Sequence, residues 1–212
     1  MKKKRILIAL AIIMSFILIL KGCQFDKKQA SKIYKIMAKS AEFEKKFAAT
    51  QLELYETRKN AQALYNELIN LTINDKDIIN QKVEEGFTFI KEQQQLVKEA
   101  EENFTKAYHT LSKIKKNINK IQDEDQKNQA TNLVTIMDER KKRIDSFFED
   151  YNESLELQNT FYQQFEDDKI RIDSLTQQIN DINIRTQDMG EAIKEFNRYS
   201  EQYFEVEKEF MK

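Results

Sequence analysis

Apolar residues recur along most of this chain at alternating intervals of three and four. From Ile79 the series runs through Val83, Gly86, Ile90, Gln93, Val97, Ala100, Phe104, Ala107, Leu111, Ile114, Ile118 and Ile121. Eleven of these thirteen are apolar, a run too long for chance. A 3.5-residue repeat lays one narrow apolar stripe down a helix, and that stripe must find a partner helix. The spacing returns three more times. A first stripe joins Ile33, Ile36, Ser40, Phe43, Phe47, Thr50, Leu54, Thr57, Ala61, Leu64, Leu68 and Leu71. A third joins Leu133, Met137, Arg140, Ile144, Phe147, Tyr151, Ser154, Gln158, Phe161 and Phe165. A fourth joins Leu175, Ile179, Ile182, Thr186, Met189, Ile193, Phe196, Ser200, Tyr203, Glu207 and Phe210. Bulky neighbours such as Tyr55, Tyr65, Phe87, Val134, Phe148, Tyr162 and Tyr199 widen each stripe toward what a bundle interior needs.

Helix-start chemistry punctuates the breaks. Asn74 or Asp75 is placed to cap a helix from Lys76. Asp123-Glu124-Asp125-Gln126 has capping-box spacing, with Asp123 accepting from the third helical N–H. Glu166-Asp167-Asp168-Lys169 closes the third stripe and leaves an acidic first turn before Leu175. Connections this short force antiparallel neighbours. The pattern predicts an all-α chain, an elongated antiparallel up-down bundle of four long coiled-coil-like helices, over about 26–72, 75–121, 124–165 and 172–211. At 1.5 Å per residue the first would be on the order of 65 Å long. The alternative is three helices bundled with a fourth packed loosely. Polar residues at Arg140, Ser154, Gln158, Thr186, Ser200 and Glu207 are expected to be satisfied within one copy, giving a monomer.

Composition agrees with this picture and narrows it. Proline is absent, and beyond Gly22 the only glycines are Gly86 and Gly190, so helix breakers are nearly missing. With 33% charged and 40% hydrophobic residues, and with such regular periodicity, the chain is no disordered stalk.

The N-terminus follows a different grammar. Met1-Lys2-Lys3-Lys4-Arg5 precedes fifteen uncharged, almost wholly apolar residues, Ile6 to Leu20, and then Leu20-Lys21-Gly22-Cys23. A basic start, a short apolar run and a small residue before the break mark an export signal. The run is short of the roughly 20 residues that span a bilayer as a helix, so an uncleaved anchor is the weaker reading. Leu20, Gly22 and the lone cysteine, Cys23, resemble a bacterial lipobox; Lys21 departs from it. The domain plan is therefore a signal peptide at 1–22, a lipidated tether at 23–30 and a helical bundle domain at 31–212, with Cys23 the diacylglyceryl and palmitate site. Removing residues 1–22 takes away five positive charges and moves the formal charge from −1 to −6. That balance argues against nucleic acid and against anionic wall polymers or lipid surfaces.

Reactive groups are scarce. Triads, zinc sites and helical di-metal motifs draw on His and Cys. The one histidine, His109, has Lys106 rather than Glu three residues before it. It reads as a solvated surface residue. Glu99, Glu101 and Glu102, and Glu205 and Glu207, have lysines nearby and read as solvated faces. No phosphate-cradling glycine loop is present. No catalytic, cofactor-binding or metal-binding residue is expected. Aromatics off the stripes, Tyr34, Phe89 and Phe204, are candidates for stacking on sugars or for taking a partner helix.

The stretch Thr131-Asn132-Leu133-Val134-Thr135-Ile136-Met137-Asp138-Glu139-Arg140-Lys141 leads through Phe147-Phe148-Glu149-Asp150-Tyr151 to Phe196-Asn197-Arg198-Tyr199. Together with the lipobox and the lack of proline, it resembles the YkyA-type putative cell-wall-binding lipoproteins of Gram-positive bacteria, over nearly the whole mature chain. The resemblance implies a Gram-positive envelope location on the outer face of the cytoplasmic membrane. It carries over no functional residue. The expected partners are the membrane, through the N-terminal diacylglyceryl lipid, and peptidoglycan or an envelope protein, with no nucleic acid. Of the competing classes, a bundle that opens on lipid should carry basic polar faces, and acids outnumber bases here. An enzyme working with clustered carboxylates should bury two of them in a concave pocket.

Overall fold

The computed structural model of the chain describes residues 27–72, 74–121, 123–166 and 171–210. Every regular element among them is helical: α1 (Lys27–Leu68), α2 (Lys76–Leu111), a 3-10 turn (Ser112–Ile114), a single-turn α3 (Lys115–Ile118), α4 (Glu124–Glu166) and α5 (Ile172–Phe210). The four long helices are the four stripes of the sequence. Residues 1–26, with the expected export signal, Cys23 and the first half of the expected tether, lie outside the described residues.

Helix ends follow local hydrogen bonding. At the start of α4 the Gln126 N–H donates to Asp123 Oδ1 at 2.9 Å, as the capping-box spacing predicts. The box is half closed, because Gln126 Oε1 is buried without a partner. Asp75 stands immediately before α2, and its carbonyl accepts from Ile79 N. Its carboxylate turns back to accept from both the Thr72 N–H (2.9 Å) and the Thr72 hydroxyl (2.8 Å). Those two bonds hold its pKa below the ordinary carboxylate value. The same loop shortens α1, which stops at Leu68 rather than near 72, its last turn closed by Leu71 N to Leu68 O. The second helix, expected to run to 121, breaks after Leu111. There the Ser112 hydroxyl donates to His109 O at 3.0 Å, a local bond that competes with the helical ladder. Ile114, Ile118 and Ile121 remain buried past the break.

Packing resolves into two compact units, each built from a stretch of all four long helices. The heptad pattern runs unbroken through the division, so the single bundle domain expected over 31–212 gives no hint of it. The first unit takes α1 up to Ala48, 102–144, and α5 from Lys194. Here the Ser40 hydroxyl donates to Ala107 O at 2.9 Å, fixing α1 against α2. Phe47, Phe104 and Phe196, from α1, α2 and α5, meet edge to face at centroid distances of 5.1–5.9 Å. Each such pair is worth about 0.5–1.5 kcal/mol beyond the area it buries.

The second unit comprises 49–101 and 145–193. Lys82 pairs with Glu67, and the Thr50 hydroxyl donates to Glu99, so α1 and α2 run antiparallel. Asp150 faces Arg185 and Gln164 faces Gln178, so α4 and α5 do likewise. The α2 stripe is buried through this unit at Val83, Ile90, Gln93, Val97 and Ala100. The α5 stripe is not: of its members here only Met189 is buried, while Leu175, Ile179, Ile182 and Ile193 stay half-buried and Thr186 is exposed. Of the flanking residues expected to widen the core, Val134, Phe148 and Tyr162 are buried, whereas Tyr55 stands 50% exposed in solvent.

The one glycine in a stripe has a reason to be there. A Cβ on Gly86 would lie 2.5 Å from the ring of Tyr162, a buried side chain packed on Phe87 and Phe161. Gly190 has nothing within 4 Å of where its Cβ would be. The two should respond in opposite ways to alanine. Gly190→Ala is expected to stabilise the chain by about 0.5–1 kcal/mol, the ordinary helical gain. Gly86→Ala is expected to destabilise it by about 1–3 kcal/mol, because the ring must leave its seat. Urea denaturation of both variants reads the difference directly.

Candidate functional site

Two polar clusters interrupt the apolar interior, one in each unit. In the first unit the cluster is centred on Arg140, a stripe residue of α4 that is 2% exposed. Its Nη2 donates to Glu44 Oε2 at 2.7 Å and its Nη1 to Glu44 Oε1 at 3.1 Å, a bidentate pair across from α1. Its Nε donates to the Ser200 hydroxyl of α5 at 3.0 Å. The rings of Tyr203, Phe196, Phe104 and Phe204 surround the guanidinium at 4.7–5.7 Å. Burial alone would lower the Arg140 pKa, but the charge and hydrogen bonds of Glu44 outweigh it and raise it. Ser200 and Arg140, both polar members of stripes, satisfy each other within one chain.

Glu207 has two readings in the sequence, a polar member of the fourth stripe and part of a solvated acidic face, and the structure corrects the second: it is 7% exposed, in the same neighbourhood as Glu44 and Arg140. Burial, and then the negative charge of Glu44, push its pKa up to about 8 against the partial relief of Arg140. The Tyr203 hydroxyl is also pushed well up by burial and by the two carboxylates. One cation thus faces two carboxylates, and the cheapest buried state keeps a proton on Glu207. Glu205, its neighbour, is exposed as expected.

The second cluster lines a cavity of about 110 Å³ in the second unit, reached by residues of all four long helices. At its floor the Tyr151 hydroxyl donates to Gln93 Oε1 at 2.6 Å, and Gln93 Nε2 donates to Phe89 O at 3.2 Å. Gln158 Nε2 donates to the Ser154 hydroxyl at 3.1 Å. These are the polar stripe positions at 93, 154 and 158: Gln93 is met by Tyr151 and Phe89, and Ser154 and Gln158 by each other. Burial raises the pKa of Tyr151 and carries that of Tyr162 to about 12, so both phenols stay neutral. Arg58 of α1, half-buried at the wall, holds its guanidinium 5.9 Å from the Tyr151 ring. Among the described residues no carboxylate lies within ion-pair reach of it. Gln62, Asn183 and Thr186 complete the rim and are exposed.

Of the candidates named from sequence, Cys23 lies outside the described residues. His109 is exposed, its ring beside that of Tyr108. Tyr34 is 47% exposed, and Phe89 and Phe204 are half-buried. They do not converge: Tyr34 and Phe204 belong to the first unit and Phe89 to the second. The Glu99, Glu101 and Glu102 side chains are exposed. The residues that do converge, Arg58, Gln62, Gln93, Tyr151, Gln158 and Asn183, were missed as a group. Gln93 and Gln158 were visible as breaks in their stripes, but nothing in the spacing joins them to Arg58. Among the described residues no three His, Cys, Asp or Glu side chains are grouped to hold a metal ion. Nor is any described helix long and apolar enough to cross a membrane.

A helical chain with polar clusters set into a heptad-built interior defines a class of structure and not an activity. A 1.6 Å crystal structure described as a conserved protein of unknown function from Staphylococcus aureus shares this fold, with a TM-score of 0.63 over 87% of this chain and 93% of that one. The two are 12% identical, so the likeness is one of fold alone. No curated protein matches the chain. Residues 28–212 match the YkyA family, described as putative cell-wall binding lipoproteins, and the chain belongs to that family. Membership of this lipoprotein family implies a place at the cell-envelope surface.

The Arg140 cluster carries a pH signature. A raised carboxyl pKa means that the folded state holds its proton more tightly than the unfolded chain. The stability from protonated Glu207 is whole below about pH 4.5 and is lost as pH rises through about 8. Glu207→Gln cannot ionise and keeps that stability. It is expected to match the wild type near pH 4 and to exceed it by roughly 2–4 kcal/mol above pH 8. Thermal melts of both proteins across that range test this, and a gap that fails to widen with pH rules it out. Arg140→Met, which strands Glu44 and Glu207 without their cation, should cost about 3–5 kcal/mol at neutral pH in the same assay.

Proposed function

We propose that this protein is a non-enzymatic wall-binding component of the envelope, held at the outer face of the cytoplasmic membrane by a diacylglyceryl lipid on Cys23. The family match over residues 28–212 carries the reading. The basic start, the short apolar run and Gly22-Cys23 support the anchor, since a cysteine just after a signal is where bacteria attach the thioether-linked lipid. Two or more acyl chains on one cysteine hold a protein stably where a single chain gives marginal binding. Once residues 1–22 are cleaved, the formal charge of −6 favours peptidoglycan itself over the anionic polymers threaded through it. The chain acts as a monomer, its interior polar groups having partners within one copy.

Two experiments test the two halves of this reading. Cys23→Ala is expected to abolish incorporation of radiolabelled palmitate and to leave an unprocessed or shed precursor. Equal labelling of the variant and the wild type would remove the lipid anchor. Separately, the soluble chain from 24 to 212, which contains every described helix, is expected to sediment with purified peptidoglycan. If it remains in the supernatant, wall binding is wrong.

A further inference from the structure

The cavity in the second unit combines features that a purely structural polar layer does not need. Its floor groups satisfy one another, yet among the described residues Arg58 at the wall has no carboxylate partner and is half-buried, in a mature chain of net charge −6. An unpaired guanidinium beside a cavity is a standing recognition element for a carboxylate. Around it stand two exposed amides, Gln62 and Asn183, and the rings of Tyr65 and Tyr162. Amides that both donate and accept, with aromatic faces beside them, suit a ligand rich in hydroxyl and amide groups. The combination describes a saccharide bearing N-acyl groups and an occasional carboxylate.

The cavity is too small as it stands. At about 110 Å³ it falls short of the roughly 300 Å³ at which pockets begin to enclose organic ligands. One wall, however, is held by little buried apolar surface and mainly by polar ties to α4, Arg185 to Asp150 and Glu153 and Gln178 to Gln164. Through the second unit α5 buries only Met189, with Ile172 at 77% and Ile184 at 54% exposure, whereas in the first unit it buries Phe196, Tyr203 and Glu207. A segment with few buried apolar contacts opens locally at low cost. Ile179, Ile182, Asn183 and Thr186 of that segment line the cavity, so its displacement enlarges the space directly.

We infer that the cavity lined by all four long helices is a binding site for carboxylate-bearing, N-acylated glycan, with Arg58 as its cationic anchor and 172–189 of α5 as the wall that moves. The inference rests on the wall-binding reading and adds the place and the chemistry. Titration calorimetry of the 24–212 chain with soluble muropeptides, disaccharides carrying a short peptide with free carboxylates, tests it together with the peptidoglycan sedimentation. Arg58→Gln is expected to weaken muropeptide binding roughly tenfold or more, the loss of one charge-assisted hydrogen bond. Asn183→Ala, at an exposed position that cannot affect folding much, is expected to weaken it severalfold. Lys59→Gln, which removes a neighbouring exposed charge already paired with Glu56, should leave it unchanged. N-acetylglucosamine oligomers, which lack the carboxylate, should bind more weakly and be indifferent to Arg58→Gln. In hydrogen exchange, amides of 174–189 should exchange faster than those of 196–207 and slow when muropeptide is added.

A wild-type chain that sediments with peptidoglycan while Arg58→Gln and Asn183→Ala bind muropeptide as well as it does would move the site elsewhere and leave the wall reading intact. A wild-type chain that binds neither would end both. Equal exchange along the two halves of α5 would remove the moving wall.

Discussion

A helix with one narrow apolar stripe cannot bury that stripe alone, and this constraint organises everything else in the molecule. The α2 stripe is the most complete of the four and is buried along nearly its whole length, from Val83 to Leu111 and on through Ile114, Ile118 and Ile121. The other helices are arranged to cover it. Short connections leave them no choice but to reverse direction each time. Even the break after Leu111 respects the rule, since the chain leaves α-helical geometry at Ser112 without letting Ile114 turn outward. Gly86 belongs to the same logic, because the missing side chain is the seat of a neighbour's ring.

Polar groups placed inside such an interior have to be met by partners, and the two units meet them differently. In the first unit a full charge is met by an opposite charge, a hydroxyl and a ring of aromatic faces. Removing a guanidinium from water is expensive, and a buried pair rarely adds much net stability over a well-packed apolar one. Its effect is selective: only one register of α1, α4 and α5 brings Glu44, Arg140 and Ser200 together. In the second unit the groups are neutral, they bond in short pairs at the floor, and among the described residues the cation at the wall has no acid. The first arrangement closes its part of the interior. The second leaves a charged and hydrogen-bonding edge facing outward, which is why recognition is argued there.

The envelope role sharpens the contrast between anchor and body. In the reading proposed above the anchoring chemistry is assigned to Cys23, while binding chemistry has to come from helices whose sequence is dominated by the heptad. Acids outnumber bases in the body, so attraction to anionic surfaces is not available as a general mechanism. Contact with a wall must then come from particular hydrogen-bonding groups and rings. The Arg58 cavity is the place proposed to meet that requirement, whereas Tyr34, Phe89 and Phe204 are divided between the two units.

What the sequence determined by itself is what short-range periodicity encodes. The helical class, the number of long helices, their order and the cap at Asp123 were legible because each depends on residues within a few positions of one another. Family resemblance was legible too, because it resides in the linear pattern. What only the tertiary structure decided are matters of partnership between distant positions. Arg140 stood out as a charge on a stripe, but Glu44 lies 96 residues away and nothing local names it. Glu207 stood on its stripe and also read as a surface acid beside Glu205, and only the packing of α1 and α4 against α5 raises its pKa there. The α5 stripe reads almost as apolar as the others, yet half of it stays partly exposed, because burial belongs to the facing helices and not to the stripe alone. The groove around Arg58 is of the same kind. Its residues come from four helices, and a spacing rule that works within a helix is blind to what lies across the interior from it.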